Sequence, residues 1–228
     1  MIEFCGVTLK YHYEEFALLK GVDFTLKRGV NTILADSQSG KSSICKLLMK
    51  EEKPTDGEIL VDGVKIDGIT NADLGILYLP SAPVFFGNRS VIYNIKYPLK
   101  VRKIAKNERR QRAVAVAEAL GIDFLDEKAK KLTAEQKKLV ALARGLTVER
   151  KIALFDDFFV FDGDATLEKV NGVLKLFEAA TCVILTSDAR LIQGNTVVLD
   201  GGMTVFAGEA EQAREVAGGL GWLGSIEE

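Results

Sequence analysis

The feature that most constrains this chain is the tripeptide Gly40-Lys41-Ser42, which joins a short apolar run to a helical pattern. Residues 31–35 are typical of a short buried strand, and residues 43–49 place apolar side chains at helical spacing. A loop of small residues between a strand and a helix presents backbone N–H groups to an anion. We therefore predict a phosphate-binding loop, in which Lys41 reaches the β- and γ-phosphates of a nucleotide and the Ser42 hydroxyl holds Mg²⁺.

Ala35 stands where the usual phosphate-loop pattern has its first glycine, and a methyl group is a small change at that position. The residues that we assign to nucleotide binding in and beside the loop are Ala35, Ser37, Gln38, Ser39, Gly40, Lys41, Ser42 and Ser43.

The composition excludes several classes of protein. The chain has 228 residues and a formal net charge of −2, so a function based on non-specific nucleic-acid affinity is not expected. It contains no run of about 18 apolar residues, and its first residues lack the pattern of a secretory signal. The one histidine, His12, argues against a multi-histidine metal site, and three widely separated cysteines favour a reducing cytoplasm.

The order of patterns along the chain predicts an α/β fold with a helical insertion. Strands alternate with helices on both sides of a charged, alanine-rich stretch over residues 100–150, and such alternation favours a parallel sheet. Two N-terminal runs and a Gly57–Gly63 hairpin predict antiparallel strands. The predicted strands are 7–11, 22–26, 31–35, 151–155, 182–185 and 197–199, and a helix is predicted over 170–177.

Four further segments follow the phosphate loop in a characteristic order. They are Tyr78–Phe85, Leu132–Gln136, Ile152–Asp157 and Thr186-Ser187. In that order they resemble the Q-loop, signature, Walker B strand and switch histidine of the ABC-type ATPase domain family, over about residues 2–208. The resemblance implies bound ATP and Mg²⁺, with Asp156 beside Ser42 at the metal and Thr133 and Glu135 in the signature.

The resemblance also implies the fold and its subdivision. The expected fold is a P-loop NTPase of ABC type, with a mixed sheet core, an antiparallel β edge and a helical subdomain insertion. Residues 1–80 and 148–208 are expected to form the core lobe, about 81–147 the Q-loop and helical subdomain, and 209–228 a C-terminal tail. Tyr11 stands where the family stacks an aromatic ring on adenine, although Tyr13 is a rival for that role.

Four positions depart from the family pattern. Ser81 replaces the Q-loop glutamine, Asp157 the catalytic glutamate and Ser187 the histidine, while Glu135 replaces the second signature glycine. A carboxylate about 4 Å from a phosphate costs about 4 kcal/mol at an effective dielectric near 20. A carboxylate displaced by about 1 Å can lose on the order of 10²-fold in rate. We therefore predict retained ATP binding with weak or absent hydrolysis; the D-loop aspartate is either Asp162 or Asp164.

A basic run is not explained by these motifs. Seven positive charges and one negative charge, Glu108, lie between Lys100 and Arg112. The run predicts either a solvated helix face or a contact with anionic lipid headgroups or nucleic acid. The absence of aromatic residues within the run argues against single-stranded nucleic acid.

The function that the sequence predicts is the ATP-binding subunit of an ABC-type membrane transporter. Its expected partners are a membrane permease subunit and a second ABC domain, either a copy of this chain or a different one. We expect a cytoplasmic location with peripheral attachment to the membrane through the permease. The alternatives are a working ATPase subunit that drives transport, and a soluble ABC-like regulatory protein.

Overall fold

The computed structural model describes residues 1–11, 16–36, 39–159 and 167–221. The strands are β1 (Ile2–Leu9), β2 (Leu19–Leu26), β3 (Val30–Ala35), β4 (Asp56–Val61), β5 (Val64–Lys65), β6 (Ile76–Pro80), β7 (Ile152–Asp156), β8 (Thr181–Thr186), β9 (Asn195–Asp200) and β10 (Met203–Glu209). The helices are α1 (Lys41–Leu48), α2 (Asn71–Leu74), α3 (Val91–Val101), α4 (Lys106–Ala119), α5 (Ala134–Leu146), α6 (Leu167–Lys175) and α7 (Ala210–Gly218).

The chain divides into two compact units. The first consists of Met1–Tyr78 and Lys151–Glu228, and the second is Leu79–Arg150. The boundaries predicted from the sequence are 80/81 and 147/148. Residues 209–228 are predicted only as a tail, whereas the structure forms α7 there and buries Ala213 and Ala217 against Leu34 and Val198.

Two sheets organise the strands. One is antiparallel, with the order β2-β1-β4-β5, and the other has the order β10-β9-β3-β8-β7-β6. In the second sheet β3 pairs in parallel with β8 and β9, and β7 pairs in parallel with β8, while β10 is antiparallel to β9. The predicted α/β class, the mixed sheet and the antiparallel edge are confirmed.

The core of the first unit is built around β3. Ile33 and Ala35 share a hydrophobic cluster with Ile44 and Leu48 of α1 and with Phe4 of the antiparallel sheet. The intervening Leu34 belongs to the separate cluster under α7. A strand that is buried on both faces consists of consecutive apolar residues, as residues 33–35 do. The sheet therefore fixes the end of β3, from which the phosphate loop departs.

The second unit is a helical core. Apolar residues of α3, α4 and α5 pack together, among them Ile95, Val140 and the alanines Ala113, Ala117 and Ala143. Alanine at these contacts lets helix backbones approach closely because it has almost no side chain to accommodate. Helices α4 and α5 lie within the charged, alanine-rich stretch over 100–150 where a helical insertion was predicted, whereas α3 precedes it.

Candidate functional site

The phosphate loop joins β3 to α1 as the sequence predicted. Gly40 has the left-handed backbone angle φ +87°, and a Cβ atom there would lie 2.7 Å from Cδ2 of Leu19. A side chain at this position would therefore be strained and also collide with the core. Ala35 still belongs to β3, where it pairs with Leu199, and two of the predicted ligands, Ser37 and Gln38, lie outside the described residues.

Lys41 is the best-defined residue of this loop. Its side chain is 4% exposed, and its ammonium group donates to the carbonyl oxygens of Ala35 at 2.9 Å and Asp36 at 2.7 Å. The same nitrogen lies 3.8 Å from Oδ2 of Asp157. A buried ammonium requires such oxygen partners, and phosphate oxygens have the same acceptor chemistry.

The surrounding hydroxyl groups differ in exposure. Ser39 is buried and donates from its hydroxyl to Oδ1 of Asp36 at 2.7 Å, whereas Ser42 is exposed at the start of α1. Ser43 is buried, and its hydroxyl lies 3.3 Å from the Tyr11 hydroxyl. The exposed position of Ser42 fits a residue whose hydroxyl is predicted to meet a cation outside the protein core.

Three parallel strands bring separate residues to one edge. Because β8 lies between β3 and β7, the carboxyl ends of all three are neighbours. The loop after β3, Asp157 after β7 and Ser187 after β8 therefore gather at that edge, which is the usual ligand-binding edge of an open α/β sheet. Ser187 is exposed there.

Asp156 ends β7 and is almost fully buried, at 6% exposure. Its Oδ2 accepts a hydrogen bond from the Tyr78 hydroxyl at 2.8 Å. Burial, followed by the bond to Asp156 and the negative charge of that carboxylate, raises the pKa of Tyr78 well above its ordinary value. Tyr78 is therefore a permanent neutral donor that orients this carboxylate.

Asp157 has an unusual conformation and environment. It is one of few non-glycine residues with positive φ, at +46°, and its N–H donates to the Leu185 carbonyl at 2.9 Å. Its Oδ1 is buried and has no hydrogen-bond partner among the described residues. Burial raises the pKa of the Asp157 carboxyl, while the nearby Lys41 charge opposes that rise. A hydrogen bond from the Ser187 backbone also lowers this pKa, so the carboxylate lies between Lys41 and the start of the loop after β8.

Tyr11 lies beside an open cleft of about 660 Å³, lined by residues 9–11 and 51–55. The Lys46 ammonium is 5.9 Å from the centre of the Tyr11 ring. An aromatic ring at the wall of a cleft can stack on a base. The rival Tyr13 lies outside the described residues, as do Asp162 and Asp164.

The remaining predicted residues belong to the second unit. Ser81 follows β6 and is exposed. Thr133 caps α5: its hydroxyl accepts from the Gln136 N–H at 3.2 Å, and the Gln136 side chain accepts from the Thr133 N–H at 3.0 Å. This capping box leaves the hydroxyl hydrogen of Thr133 able to donate elsewhere. Glu135 is exposed in the first turn of α5.

Two residues with clear roles were missed by the sequence analysis. One is Tyr78, whose partner Asp156 is distant in sequence. The other is Arg144, which donates to the Val84 carbonyl at 2.8 Å and lies 4.8 Å from the centre of the Phe85 ring. Arg144 therefore ties the segment after Ser81 to α5. The sequence signal for Tyr78 was its place between the buried Leu77 and Leu79, which puts it on the opposite strand face.

The described residues contain neither a metal-binding cluster nor a membrane-spanning helix. No group of three or more His, Cys, Asp or Glu side chains that could hold a metal ion occurs there. No helix in those ranges is long and apolar enough to cross a membrane.

Known proteins share this sequence pattern. The sequence model of the ABC transporter family matches residues 19–160. The chain is 29% identical to the sn-glycerol-3-phosphate import ATP-binding protein UgpC 1 of Rhizobium johnstonii over 93% of its own length, and it spans 62% of that protein. It is 31% identical to the glutamine transport ATP-binding protein GlnQ of Geobacillus stearothermophilus, with 84% of each chain covered.

Solved structures share the fold. A bacterial Atm1-family ABC exporter with ATP bound superposes with a TM-score of 0.79 at 24% identity, over 94% of this chain and 40% of the exporter chain. The ATP-binding cassette MJ0796, solved as a dimer in a post-hydrolysis state with ADP and Pi, gives a TM-score of 0.79 at 23% identity, covering 92% of this chain and 99% of the cassette. Together with the family match, these findings confirm the predicted P-loop fold of ABC type. The chain belongs to the ABC transporter family, as an ATP-binding domain.

Proposed function

We propose that this chain is the ATP-binding subunit of an ABC-type membrane transporter, and that it binds Mg-ATP but hydrolyses it weakly or not at all. The observation that carries the proposal is the buried Lys41 ammonium. It is kept at the phosphate loop by two carbonyl oxygens, while the neighbouring Asp157 is drawn to it.

The loop residues fit a nucleotide phosphate. Lys41 exchanges carbonyl acceptors for phosphate oxygens, and the left-handed Gly40 lets the loop turn into α1, whose N-terminus favours negative charge. When bound, Mg²⁺ neutralises phosphate charge. Ser42 and Asp156 are the residues that would hold it. Since the described residues contain no cluster of three ligating side chains, the nucleotide itself would supply further oxygens.

Tyr11 is the proposed contact for adenine. Its ring lies at the wall of the cleft, while its hydroxyl lies within hydrogen-bond distance of Ser43 behind the phosphate loop. The hydroxyl contact fixes the ring relative to α1. A base stacked on this ring would gain about 1–3 kcal/mol.

Hydrolysis needs groups that this site supplies poorly. Asp157 pairs with Lys41, and so its carboxylate is not placed to accept a proton from water. Ser187 and Ser81 are exposed serines, and neither reaches as far as the histidine or glutamine that the family has there. Ser187 also cannot take up a proton as an imidazole can. Glu135 adds a negative charge where the family signature meets a nucleotide held by a second domain.

The proposed partners are a membrane permease subunit and a second ABC domain. Relatives are described as import ATP-binding proteins, and the MJ0796 cassette was solved as a dimer. These names support a cytoplasmic subunit that attaches peripherally to a membrane through its permease. The transported substrate is not part of this proposal, because the relatives transport different compounds.

The first test is the effect of Mg-ATP on the melting temperature. A ligand at about 100 times its Kd stabilises the protein by about 2.7 kcal/mol, which shifts the melting temperature by roughly 5–10 °C for a chain of this size. We expect that shift in the wild type and its loss in Lys41→Ala. The matched control is Lys138→Ala, which truncates a buried lysine of α5 and should keep the shift. Equal shifts in wild type and Lys41→Ala would refute the assigned phosphate site.

The second test is phosphate release. The purified wild type should release phosphate at a rate close to that of Lys41→Ala. Asp157→Glu combined with Ser187→His should raise the rate only modestly, because Glu135 and Ser81 are unchanged. Turnover near about 1 s⁻¹ in the wild type, the low end for ordinary enzymes, would instead favour the working ATPase subunit.

A further inference from the structure

Helices α3 and α4 meet at a strongly basic turn. The seven basic residues between Lys100 and Arg112, together with Lys96 on α3, form what we call the basic hairpin surface. Most of these side chains are exposed, and only Lys96 and Arg109 are half-buried. The turn is closed by hydrogen bonds from the Lys103 N–H to the Lys100 carbonyl and from the Ile104 N–H to the Leu99 carbonyl.

The positive charges of this surface are not balanced locally. The segment 96–112 contains one acidic residue, Glu108, and it forms an ion pair with Arg112 one helical turn away. Burial, followed by the positive charges of Arg110, Arg109 and Lys106, lowers the pKa of Lys96. The basic side chains of the two helices are therefore close enough to repel one another.

Apart from the Glu108–Arg112 pair, the described contacts give the fold little gain from the charges placed there. The first turn of a helix favours acidic residues, and α4 has one there, Glu108; the helix nevertheless begins with Lys106 and continues with Arg109 and Arg110. Its N-cap is Ala105, which makes no side-chain capping bond. Helix α5 in the same unit also has one acidic residue in its first turn, but it adds a capping box at Thr133 that α4 lacks. The basic charge on α4 is therefore better explained by a partner outside the chain.

We propose that the basic hairpin surface docks on the anionic lipid headgroups of a membrane. Val101 lies at the turn with 63% exposure, so an apolar side chain accompanies the basic ones, as in segments that rest at a lipid interface. The run 100–112 has no aromatic residue on which bases could stack, which disfavours single-stranded nucleic acid. This contact goes beyond nucleotide binding and does not depend on it.

The test is co-sedimentation of the full chain with vesicles. We expect binding to phosphatidylcholine vesicles that contain about 30% phosphatidylglycerol, no binding to phosphatidylcholine alone, and loss of binding as salt rises and shortens the screening length. Each basic residue near an anionic surface contributes a factor of about five, so Lys103→Glu/Lys106→Glu/Arg110→Glu should reduce partitioning by at least about 100-fold. All three side chains are exposed, and the variant should fold.

The matched control reverses three other exposed lysines of the same unit, Lys128→Glu/Lys130→Glu/Lys131→Glu. It makes the same change in net charge and should retain most of the vesicle binding. Both variants should keep the Mg-ATP melting shift, which separates this surface from the nucleotide site. The proposal is overturned if the wild type does not bind anionic vesicles or binds neutral vesicles equally well. It is also overturned if both variants lose vesicle binding to the same extent, or if duplex DNA displaces the protein from the vesicles.

Discussion

The contact between Lys41 and Asp157 can be tested by a double-mutant cycle on the nucleotide-free protein. At the observed 3.8 Å, two unit charges attract by about 4 kcal/mol for an effective dielectric near 20. The Asp157 side chain is 35% exposed, so solvent screening reduces the expected coupling to about 1–2 kcal/mol. The four proteins are the wild type, Lys41→Met, Asp157→Asn and the combined variant.

The single changes should differ in their cost. Lys41→Met removes two charged hydrogen bonds to the carbonyls of Ala35 and Asp36, each worth about 1.5–3 kcal/mol, and leaves Asp157 without its counter-charge. Asp157→Asn also removes a carboxylate whose Oδ1 lies buried without a partner among the described residues, which offsets part of the loss. Lys41→Met should therefore lower the free energy of unfolding more than Asp157→Asn does.

The assay is urea unfolding of all four proteins at pH 7 without nucleotide. The loss in the combined variant should be smaller than the sum of the two single losses by the coupling energy. Additivity within about 0.5 kcal/mol, the usual result for residues that do not interact, would refute the ion pair. Because Asp157 competes with phosphate for Lys41, the Asp157→Asn protein should also bind Mg-ATP several-fold more tightly, by about 1 kcal/mol for a screened charge.

The other predictions concern Glu135 and Tyr78. Glu135→Gly should strengthen ATP-induced dimerisation, measured by light scattering, and leave the ATP affinity of the monomer unchanged. Glu135→Gln removes the charge but keeps the helix propensity, so it should give part of the gain. Identical dimerisation of the wild type and both variants would contradict the repulsion. Tyr78→Phe should lower the free energy of unfolding by about 1–2 kcal/mol, because the Asp156 carboxylate loses a donor, whereas the control Tyr97→Phe in the second unit should change it little. If Tyr78→Phe leaves the free energy of unfolding unchanged, water has replaced the hydroxyl as the donor to Asp156.

The sequence was sufficient where the signal was local. Residues 31–49 contain a strand, a small-residue loop and a helix in one continuous pattern, and β3, Gly40 and α1 follow it closely. The parallel pairing of β3 with β8 and β9 followed from the alternation of strands and helices. Both inferences depend on neighbours in sequence or on a general rule for crossover connections.

The sequence was insufficient where position depends on distant segments. The strand β10 alternates between exposed and half-buried residues, so its apolar signal was weak, and the small alanines of α7 gave little helical periodicity. The bond between Tyr78 and Asp156 joins residues 78 positions apart and depends on β6 lying beside β7, an order that no local pattern specifies. The positive φ of Asp157 and its direction toward Lys41 are likewise tertiary results.

The geometry around Asp157 gives a physical reason why binding and hydrolysis can separate in this chain. Burial raises the pKa of the Asp157 carboxyl and the Lys41 charge opposes that rise, so position rather than proton affinity limits this carboxylate as a base. The same pairing keeps Lys41 charged and buried at the loop, where a phosphate can replace the carboxylate. The one histidine of the chain, His12, lies far in sequence from the switch position, which is the exposed Ser187. Under the proposed function, the arrangement that prepares Lys41 for nucleotide is therefore also the one that holds the Asp157 carboxylate away from an attacking water.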